Sequence, residues 1–303
     1  MMAARRTPRV ADGGSDARLD VRKTYKLYVG GAFPRSESGR SYVVTDAKGR
    51  FLANAARASR KDARDAVVAA RGAQAGWAAA TAYNRGQVLY RVAEIIEGRA
   101  DQFAATVAAA EGVSAARARV LTAAAIDRWV WFAGWTDKFQ QIDGTANPVA
   151  GPYFNFSVPE PTGVVAVVAP QDSSLLGLVS VIAAPLVSGN TVVVVASESR
   201  PLPAITLAEA LATSDVPGGV VNLLTGHTGE LAPTLADHMD VNAIDLGGVR
   251  DRELATSLEV ASTENVKRVL RAPAQEPDWT AMPDPRRILV FCETKTVWHP
   301  IGT

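Results

Sequence analysis

The sequence predicts an α/β fold built around a parallel β-sheet. Two short runs, GVVAVVAP and TVVVVAS, are almost entirely apolar, VVNLL is a third strand-like run, and stretches with helical periodicity separate them. A strand that is apolar on both faces is buried on both faces, so such strands alternating with helices are typical of a parallel sheet covered on two sides. A fourth run, VNAIDL, follows a further helical stretch. The expected core is therefore a Rossmann-like parallel sheet.

The elements before the sheet predict an N-terminal helical layer. Residues 1–23 mix Arg, Asp, Gly and Ala without periodicity, which predicts a disordered tail. YKLYVGGAF then alternates and turns at two glycines, as a short hairpin does. Ser59 and Asp62 have the spacing of a capping box and predict the start of the first helix. Periodic stretches at 84–99, 101–110 and 115–139, the last two of them alanine-rich, predict three further helices.

The remaining segments predict a projecting β-hairpin and a terminal strand. Residues 144–161 alternate in polarity through PYFNFSVPEP, which indicates a hairpin that protrudes from the body. Helical stretches at 175–188, 202–213 and 230–236 separate the sheet strands. Near the end, ILVFCETKTVW predicts a strand, and the proline-containing stretch 273–287 precedes it. We therefore divide the chain into a domain over 24–272, a linker over 273–287 and a terminal strand segment over 288–303.

Composition excludes several classes of function. Lys and Arg total 32 against 31 Asp and Glu, a net charge of +1, which argues against a nucleic-acid or polybasic membrane binder. The single cysteine, Cys292, rules out an intramolecular disulfide, and the three scattered histidines show no metal-ligand spacing. No apolar run reaches the roughly 18 residues of a membrane span. The first residues lack the apolar stretch of a secretory signal, so a cytoplasmic location is expected.

Several segments together resemble the aldehyde dehydrogenase superfamily. They are collinear over residues 25–270: GRSYVVTDAKG, ASRKDARDAVVAARGAQAGW, NRGQVLYRVAEIIEGR, EPTGVVAVVAP, APLVSGNTVVVVASE, DVPGGVVNLLTG and HMDVNAIDLGG. FCETKTVWHP resembles the C-terminal strand through which subunits of that family associate. The resemblance implies an NAD(P)-binding domain over 24–272 and an oligomerisation strand within 288–303. The catalytic domain of the family has no counterpart, because PAQEPDWTAMPDPRR leads almost directly into the terminal strand.

The resemblance also implies that the catalytic groups are missing. The family uses a cysteine nucleophile, an asparagine amide that stabilises the oxyanion, and a glutamate that activates water. Asp172 stands at the asparagine position, and an ionised carboxylate has no proton to donate. Cys292 lies in a strand-like run and is expected to be a small buried hydrophobe. DLGGV, which begins at Asp245, stands where the family has a turn, and VASTENVKRVLR, interpreted as the next helix, leads to no glutamate. No catalytic residue is therefore assigned.

By the same resemblance, the site for NAD or NADP is present but weakened. Gln171 replaces a tryptophan and Val195 replaces a lysine of the family pattern, whereas Glu198 remains able to accept hydrogen bonds from ribose hydroxyls. The candidate cofactor-binding residues are Val168, Pro170, Gln171, Ser197, Glu198, Gly226 and Gly248.

Three hypotheses of function follow. The first is a catalytically deficient subunit that joins a full-length NAD-dependent aldehyde dehydrogenase through residues 144–161 and 288–299. Its terminal strand is expected to be an edge with no sheet of its own, which pairs with the partner by β-augmentation. A homodimer through the same segments is the alternative. The second hypothesis is an NAD(P)-dependent oxidoreductase that acts on aldehydes in its own right. The third is an NAD(H)-binding module without turnover.

Overall fold

The structure, a computed structural model, describes residues 22–302. Most of the predicted disordered tail, residues 1–21, lies outside the described residues. At its end, the carbonyl oxygen of Lys23 accepts a hydrogen bond of 2.9 Å from the backbone N–H of Asn54. Lys23 is therefore hydrogen-bonded to the folded body of the chain, and the predicted boundary of the tail is too late by at least this residue.

Residues 22–302 form eleven strands and ten helices. The strands are β1 (Thr24–Tyr25), β2 (Ser41–Thr45), β3 (Phe51–Ala56), β4 (Thr145–Asn147), β5 (Tyr153–Pro161), β6 (Val164–Val168), β7 (Thr191–Val195), β8 (Val221–Leu224), β9 (Ala243–Asp245), β10 (Arg268–Leu270) and β11 (Cys292–Pro300). The helices are α1 (Arg60–Ala79), α2 (Ala82–Glu97), α3 (Ala100–Glu111), α4 (Ala115–Ala133), α5 (Phe139–Asp143), α6 (Leu176–Ser188), α7 (Leu202–Leu211), α8 (Thr228–Ala236), α9 (Arg252–Ala261) and α10 (Arg286–Leu289).

The central sheet has five parallel strands in the order β10-β9-β6-β7-β8, which confirms the predicted fold class. Every residue of β6 and β7 is buried, as their unbroken apolar sequences require. Alternate residues of β6 face opposite sides of the sheet. Val165 and Val167 pack into the core beneath α4 and α6, whereas Val164 and Val168 pack into the core beneath α1 and α8.

The N-terminal helices form as predicted, with one wrong boundary. The Ser59 side chain accepts from the backbone N–H groups of Lys61 and Asp62, and the Asp62 carboxylate accepts from the Ser59 N–H at 2.8 Å, so the capping box is confirmed. The fourth helix, however, ends at Ala133 and does not continue to 139. The Thr136 hydroxyl donates to the Ala133 carbonyl at 2.9 Å and satisfies a terminal acceptor, which closes the helix there.

A second wrong assignment concerns VASTENVKRVLR, which was expected to be a helix. Only its first two residues belong to α9, and Arg268–Leu270 form β10 alongside β9. Between them the chain reverses direction through Val266, whose φ of 57° is in the left-handed region, and the Lys267 N–H bonds to the Ser262 carbonyl at 3.0 Å. Leaving the helix by this turn lets the next residues complete the sheet.

A separate antiparallel sheet contains the predicted hairpin and the terminal strand, in the order β11-β5-β4. β11 pairs with β5 from Cys292 opposite Pro161 to Pro300 opposite Tyr153. The expectation that the terminal strand lacks a sheet of its own is therefore wrong, because β5 occupies one of its edges.

The start of the terminal strand is also later than predicted. Ile288 lies in α10 and not in a strand, so the strand segment begins at Cys292. Just before it, the Phe291 carbonyl accepts from the Thr162 N–H at 3.1 Å and from the Asn190 side chain at 2.9 Å. Ile288 and Phe291 are both buried in the main core. These contacts direct the chain into the antiparallel sheet.

Within residues 22–302, no helix is both long and apolar enough to cross a membrane.

Candidate functional site

The candidate site lies at the carboxyl ends of the parallel strands. The chain runs from β6 outward to β8 and then returns to β9 on the other side of β6, so the direction of winding switches between β6 and β9. Open α/β sheets bind ligands in the crevice at such a switch point. A cavity of about 430 Å³ opens there and includes Gln171, Glu198 and Gly248 in its lining. Four other predicted residues are absent from this lining: Val168, Pro170, Ser197 and Gly226.

Glu198 is already bonded within the protein. Its carboxylate accepts from the backbone N–H of Thr228 at 2.5 Å and lies 3.3 Å from Nδ1 of His227. Thr228 is the first residue of α8, so the carboxylate lies at the positive end of that helix dipole. Glu198 therefore stabilises α8, and a ribose hydroxyl would have to share or displace these bonds.

Gln171 and Gly248 connect the strand ends to each other. The Gln171 amide donates to the Ala169 carbonyl at 2.8 Å and accepts from the Glu198 N–H at 3.1 Å. The Gly248 N–H donates to the Val168 carbonyl at 3.0 Å. A Cβ atom at Gly248 would lie 1.9 Å from the Ala169 carbonyl oxygen, so no other residue fits this close approach.

The other predicted cofactor residues support the loops behind the cavity. The Ser197 hydroxyl donates to the Gln171 carbonyl at 3.0 Å and so joins the loops after β6 and β7. Gly226 adopts a φ of 151°, and a Cβ there would lie 3.2 Å from the Ala58 nitrogen. The ring of Pro170 lies against Gly177 at the start of α6. These residues shape the crevice without facing it.

Asp172, at the position of the expected oxyanion donor, is paired with two arginines. Its carboxylate accepts from Arg250 and lies 3.3 Å from the Arg200 guanidinium, which also donates to the Asp172 carbonyl at 2.6 Å. The side chain is 58% exposed. With both oxygens directed to cations, Asp172 acts as an acceptor and offers no hydrogen to a developing oxyanion.

Glu276 belongs to the site, although no pattern in the sequence predicts its role there. Its carboxylate accepts from three consecutive backbone N–H groups, those of Gln171, Asp172 and Ser173, at 3.1, 3.0 and 3.0 Å. The indole of Trp279 donates to it at 3.2 Å. The segment interpreted as a linker thus places an anion on the loop after β6, although no motif around Glu276 signals this.

The structure does not bring Cys292 to this site. Cys292 pairs with Pro161, before β6 begins, whereas Asp172 follows the end of β6. The length of β6 separates the two by more than about 15 Å at 3.3 Å per residue. The Cys292 thiol is buried against the Ile288 carbonyl, and burial raises its pKa to about 11. As predicted from its strand-like surroundings, the side chain packs in the core.

Asp245, the first residue of DLGGV, is also remote from the solvent. It is fully buried at the end of β9 and forms an ion pair with Arg287. Its carboxylate accepts from the Gly247 N–H at 2.9 Å and so shapes the turn that the sequence predicted here. Among residues 22–302, no three His, Cys, Asp or Glu side chains are grouped so as to hold a metal ion.

Comparison with known proteins identifies the family. The sequence profile described as "Aldehyde dehydrogenase family" matches residues 33–284, which is most of the chain. The chain belongs to the aldehyde dehydrogenase family. Among its relatives, the putative aldehyde dehydrogenase DhaS of Bacillus subtilis is 30% identical over 251 residues. The cytosolic 10-formyltetrahydrofolate dehydrogenase of Mus musculus is 32% identical over 239 residues.

Solved structures of the family agree with the fold. The NAD+ complex of aldehyde dehydrogenase from Bacillus cereus superimposes with a TM-score of 0.77 at 26% identity, over 82% of this chain. HpcC from Thermus thermophilus gives a TM-score of 0.77 at 28% identity over the same share. The match covers only 50% and 47% of those two chains. It covers 50% of DhaS and 26% of the mouse protein, so this chain spans half or less of these aldehyde dehydrogenase family members.

Proposed function

We propose that this protein is a catalytically deficient member of the aldehyde dehydrogenase family that associates with a full-length, NAD-dependent aldehyde dehydrogenase. The observation that carries the proposal is the separation of the only cysteine from the loop of Asp172. A thiolate attack needs a nucleophile and an oxyanion donor within about 3 Å of one reacting atom. Here the buried Cys292 thiol lies beyond the opposite end of β6, and Asp172 is an acceptor paired with Arg250 and Arg200.

The association is supported by the second edge of β11. β5 covers one edge, and within residues 22–302 no strand pairs with the other. A nine-residue strand with an open edge is a template for pairing with another chain. A partner strand would extend the sheet β11-β5-β4 by β-augmentation, with main-chain hydrogen bonds supplying affinity. Segments 144–161 and 288–299 are then the subunit contacts, and residues 288–303 act as the oligomerisation segment beside a nucleotide-binding domain over 24–272.

The test is the molar mass of the assembly, measured by light scattering. The 32.0 kDa chain is purified alone and after co-expression with a full-length aldehyde dehydrogenase from the same source. A mixed complex of fixed stoichiometry that forms only on co-expression is expected. A homodimer, or a monomer that ignores the longer protein, would overturn the hetero-complex.

A second candidate is an NAD(H)- or NADP-binding module without turnover, and the crevice between β6 and β9 favours it. In a bound state, Glu198 would hold the ribose and Arg250, which lines the cavity, would face the pyrophosphate. The fit is partial, because the Glu198 carboxylate and the Gly248 N–H are engaged in internal bonds of 2.5 and 3.0 Å. If this candidate holds, titration calorimetry with NAD and NADP is expected to show saturable binding with a dissociation constant below about 1 mM. Binding weaker than that for both cofactors would overturn this second candidate.

A further inference from the structure

A second cavity lies away from the crevice, between α4, α6 and the segment that follows β10. Its volume is about 470 Å³, within the range of small-molecule sites. Its apolar wall includes Phe132 of α4, Leu270, Trp279, Met282 and Val290. None of its lining residues is shared with the cavity at the ends of the strands.

A buried arginine on one wall of this cavity has only neutral partners. Arg128 of α4 is 7% exposed. Its guanidinium donates to the Ser180 hydroxyl at 3.0 Å and to the carbonyls of Trp279 and Ala281 at 2.7 and 3.0 Å. No carboxylate within residues 22–302 forms an ion pair with it. A buried charge without a counter-ion is costly, and desolvation accordingly lowers the pKa of Arg128.

A second guanidinium in the lining of this cavity already has a counter-ion. Arg287 pairs through one terminal nitrogen with the buried carboxylate of Asp245, and its Cζ lies 5.5 Å from the centre of the Trp279 ring. Its Nε is buried and has no hydrogen-bond partner within the described chain. The two acidic residues in the lining are exposed and engaged locally, Asp278 with Thr280 and Asp284 with Arg286. The acidic residues of the lining therefore leave Arg128 without a counter-charge.

We propose that this cavity binds a small carboxylic acid with an apolar body, such as a medium-chain or aryl-substituted alkanoic acid. The carboxylate lies against the Arg128 guanidinium and so supplies the missing counter-charge. The apolar body lies along Phe132, Trp279 and Met282. This proposal does not depend on the subunit function, because it uses neither the crevice nor the terminal sheet.

The first experiment compares three probes by titration calorimetry on the purified full chain. Octanoate carries both recognition elements, octanamide has the same body without charge, and inorganic phosphate has charge without a body. We expect saturable binding of octanoate, at least about tenfold tighter than that of octanamide, since the lost charge-assisted bonds are the stronger ones. Equal binding of octanoate and octanamide, binding of phosphate alone, or no binding of octanoate would each overturn the proposal.

Variants then locate the site. Arg128→Met is expected to weaken octanoate binding at least about tenfold while leaving octanamide binding unchanged. Arg119→Met is the matched control, because Arg119 lies on the same helix with its side chain 68% exposed and outside the cavity. If Arg128→Met does not fold, Met282→Glu replaces it, since Met282 is 83% exposed at the cavity mouth. Its new charge should weaken octanoate binding about threefold or more relative to Met282→Gln, and equal affinities in that pair would overturn the proposal.

Discussion

Cys292 shows how burial removes the reactivity of a thiol. Its side chain is in the main core, and its pKa is raised to about 11, mainly by desolvation. The thiolate is the alkylating species and forms as pH rises through the pKa, so at pH 8 only about one molecule in a thousand carries it. We expect iodoacetamide to modify the native protein more than about 100-fold more slowly than the protein unfolded in urea at the same pH.

Mass spectrometry of the intact protein measures this difference, and Cys292→Ser gives the background in urea. Rapid native labelling would mean that the thiol is accessible and that a nucleophilic role must be reconsidered. If any aldehyde-oxidising turnover is detected, Cys292→Ser should leave it unchanged.

Glu276 is the residue on which the order of the Asp172 loop depends. Removing the carboxylate leaves three backbone N–H groups without their acceptor, and part of that loss is not recovered by water. Glu276→Ala is therefore expected to lower the free energy of unfolding by about 1–3 kcal/mol, measured by urea denaturation. Gln275→Ala, at the exposed neighbouring residue, is the control and should change it by less than about 0.5 kcal/mol. Equal urea midpoints for the two variants would show that water replaces the three hydrogen bonds to Glu276 without loss of stability.

Local and long-range contacts differ in how well the sequence predicts them. Ser59 and Asp62 are three residues apart, so the pattern alone predicts their reciprocal bonds. Glu276 binds N–H groups more than 100 residues earlier. Every residue except proline has a backbone N–H, so the sequence does not show which of these groups a distant carboxylate binds. The same holds for Arg128, whose carbonyl acceptors lie in the stretch interpreted as a linker.

Among the strands, β11 and β5 stabilise each other through their antiparallel pairing. Val297 lies in the middle of the strand, opposite Phe156. A proline there lacks the backbone N–H and fixes φ near −65°, so it is not tolerated within a paired strand. We expect Val297→Pro to increase hydrogen exchange along β5, whereas Val297→Thr, which keeps the backbone N–H and a β-branched side chain, should not.

Exchange is read from peptides that cover residues 153–161, and those that cover β6 are the internal reference. Unchanged protection of β5 in Val297→Pro would mean that β4 and the body hold this strand without β11. The parallel sheet itself should keep its protection in both variants.

The elements that the sequence predicted well are those with one dominant pattern. β6 and β7 are five-residue apolar runs between turn residues, and nothing competes with the strand interpretation. The errors occur where a tertiary contact overrides a local pattern. ILVF has strand composition, yet burial of Ile288 and Phe291 in the core fixes a helical turn. Likewise Arg268–Leu270 leave a helical pattern because the edge of β9 is available for pairing.

Across the whole molecule, the candidate site and the single cysteine lie at opposite ends of the parallel sheet. The crevice, Asp172 and Glu276 lie at the carboxyl ends of the strands, and Cys292 lies beyond the amino end of β6. Four exposed apolar side chains lie at the tip of the antiparallel sheet: Tyr153, Phe154, Trp298 and Ile301 are each 43–58% exposed. The register places Tyr153 and Trp298 on one face and Phe154 on the other, so the body of this chain covers neither face of the tip.

This tip is where we expect assembly to be most sensitive to substitution. Trp298 contacts Tyr153 edge to face at a centroid distance of 5.7 Å, and large aromatic residues dominate the energetics of interfaces. Trp298→Asp is therefore expected to weaken the mixed complex with the full-length enzyme by at least about tenfold. Because the side chain is 58% exposed in this chain, the free energy of unfolding should change by less than about 0.5 kcal/mol.

Tyr90→Asp provides the matched control, since Tyr90 is a 49% exposed aromatic residue on α2 and does not belong to the antiparallel sheet. Light scattering across a concentration series gives the dissociation constant for each variant, and urea denaturation gives its stability. A Trp298→Asp protein that assembles as tightly as wild type would remove the sheet tip from the interface, whereas loss of assembly in both variants would indicate a general effect of added negative charge. Loss of assembly in Trp298→Asp alone, with its free energy of unfolding unchanged, would mean that Trp298 contributes to the complex and not to the fold of the single chain.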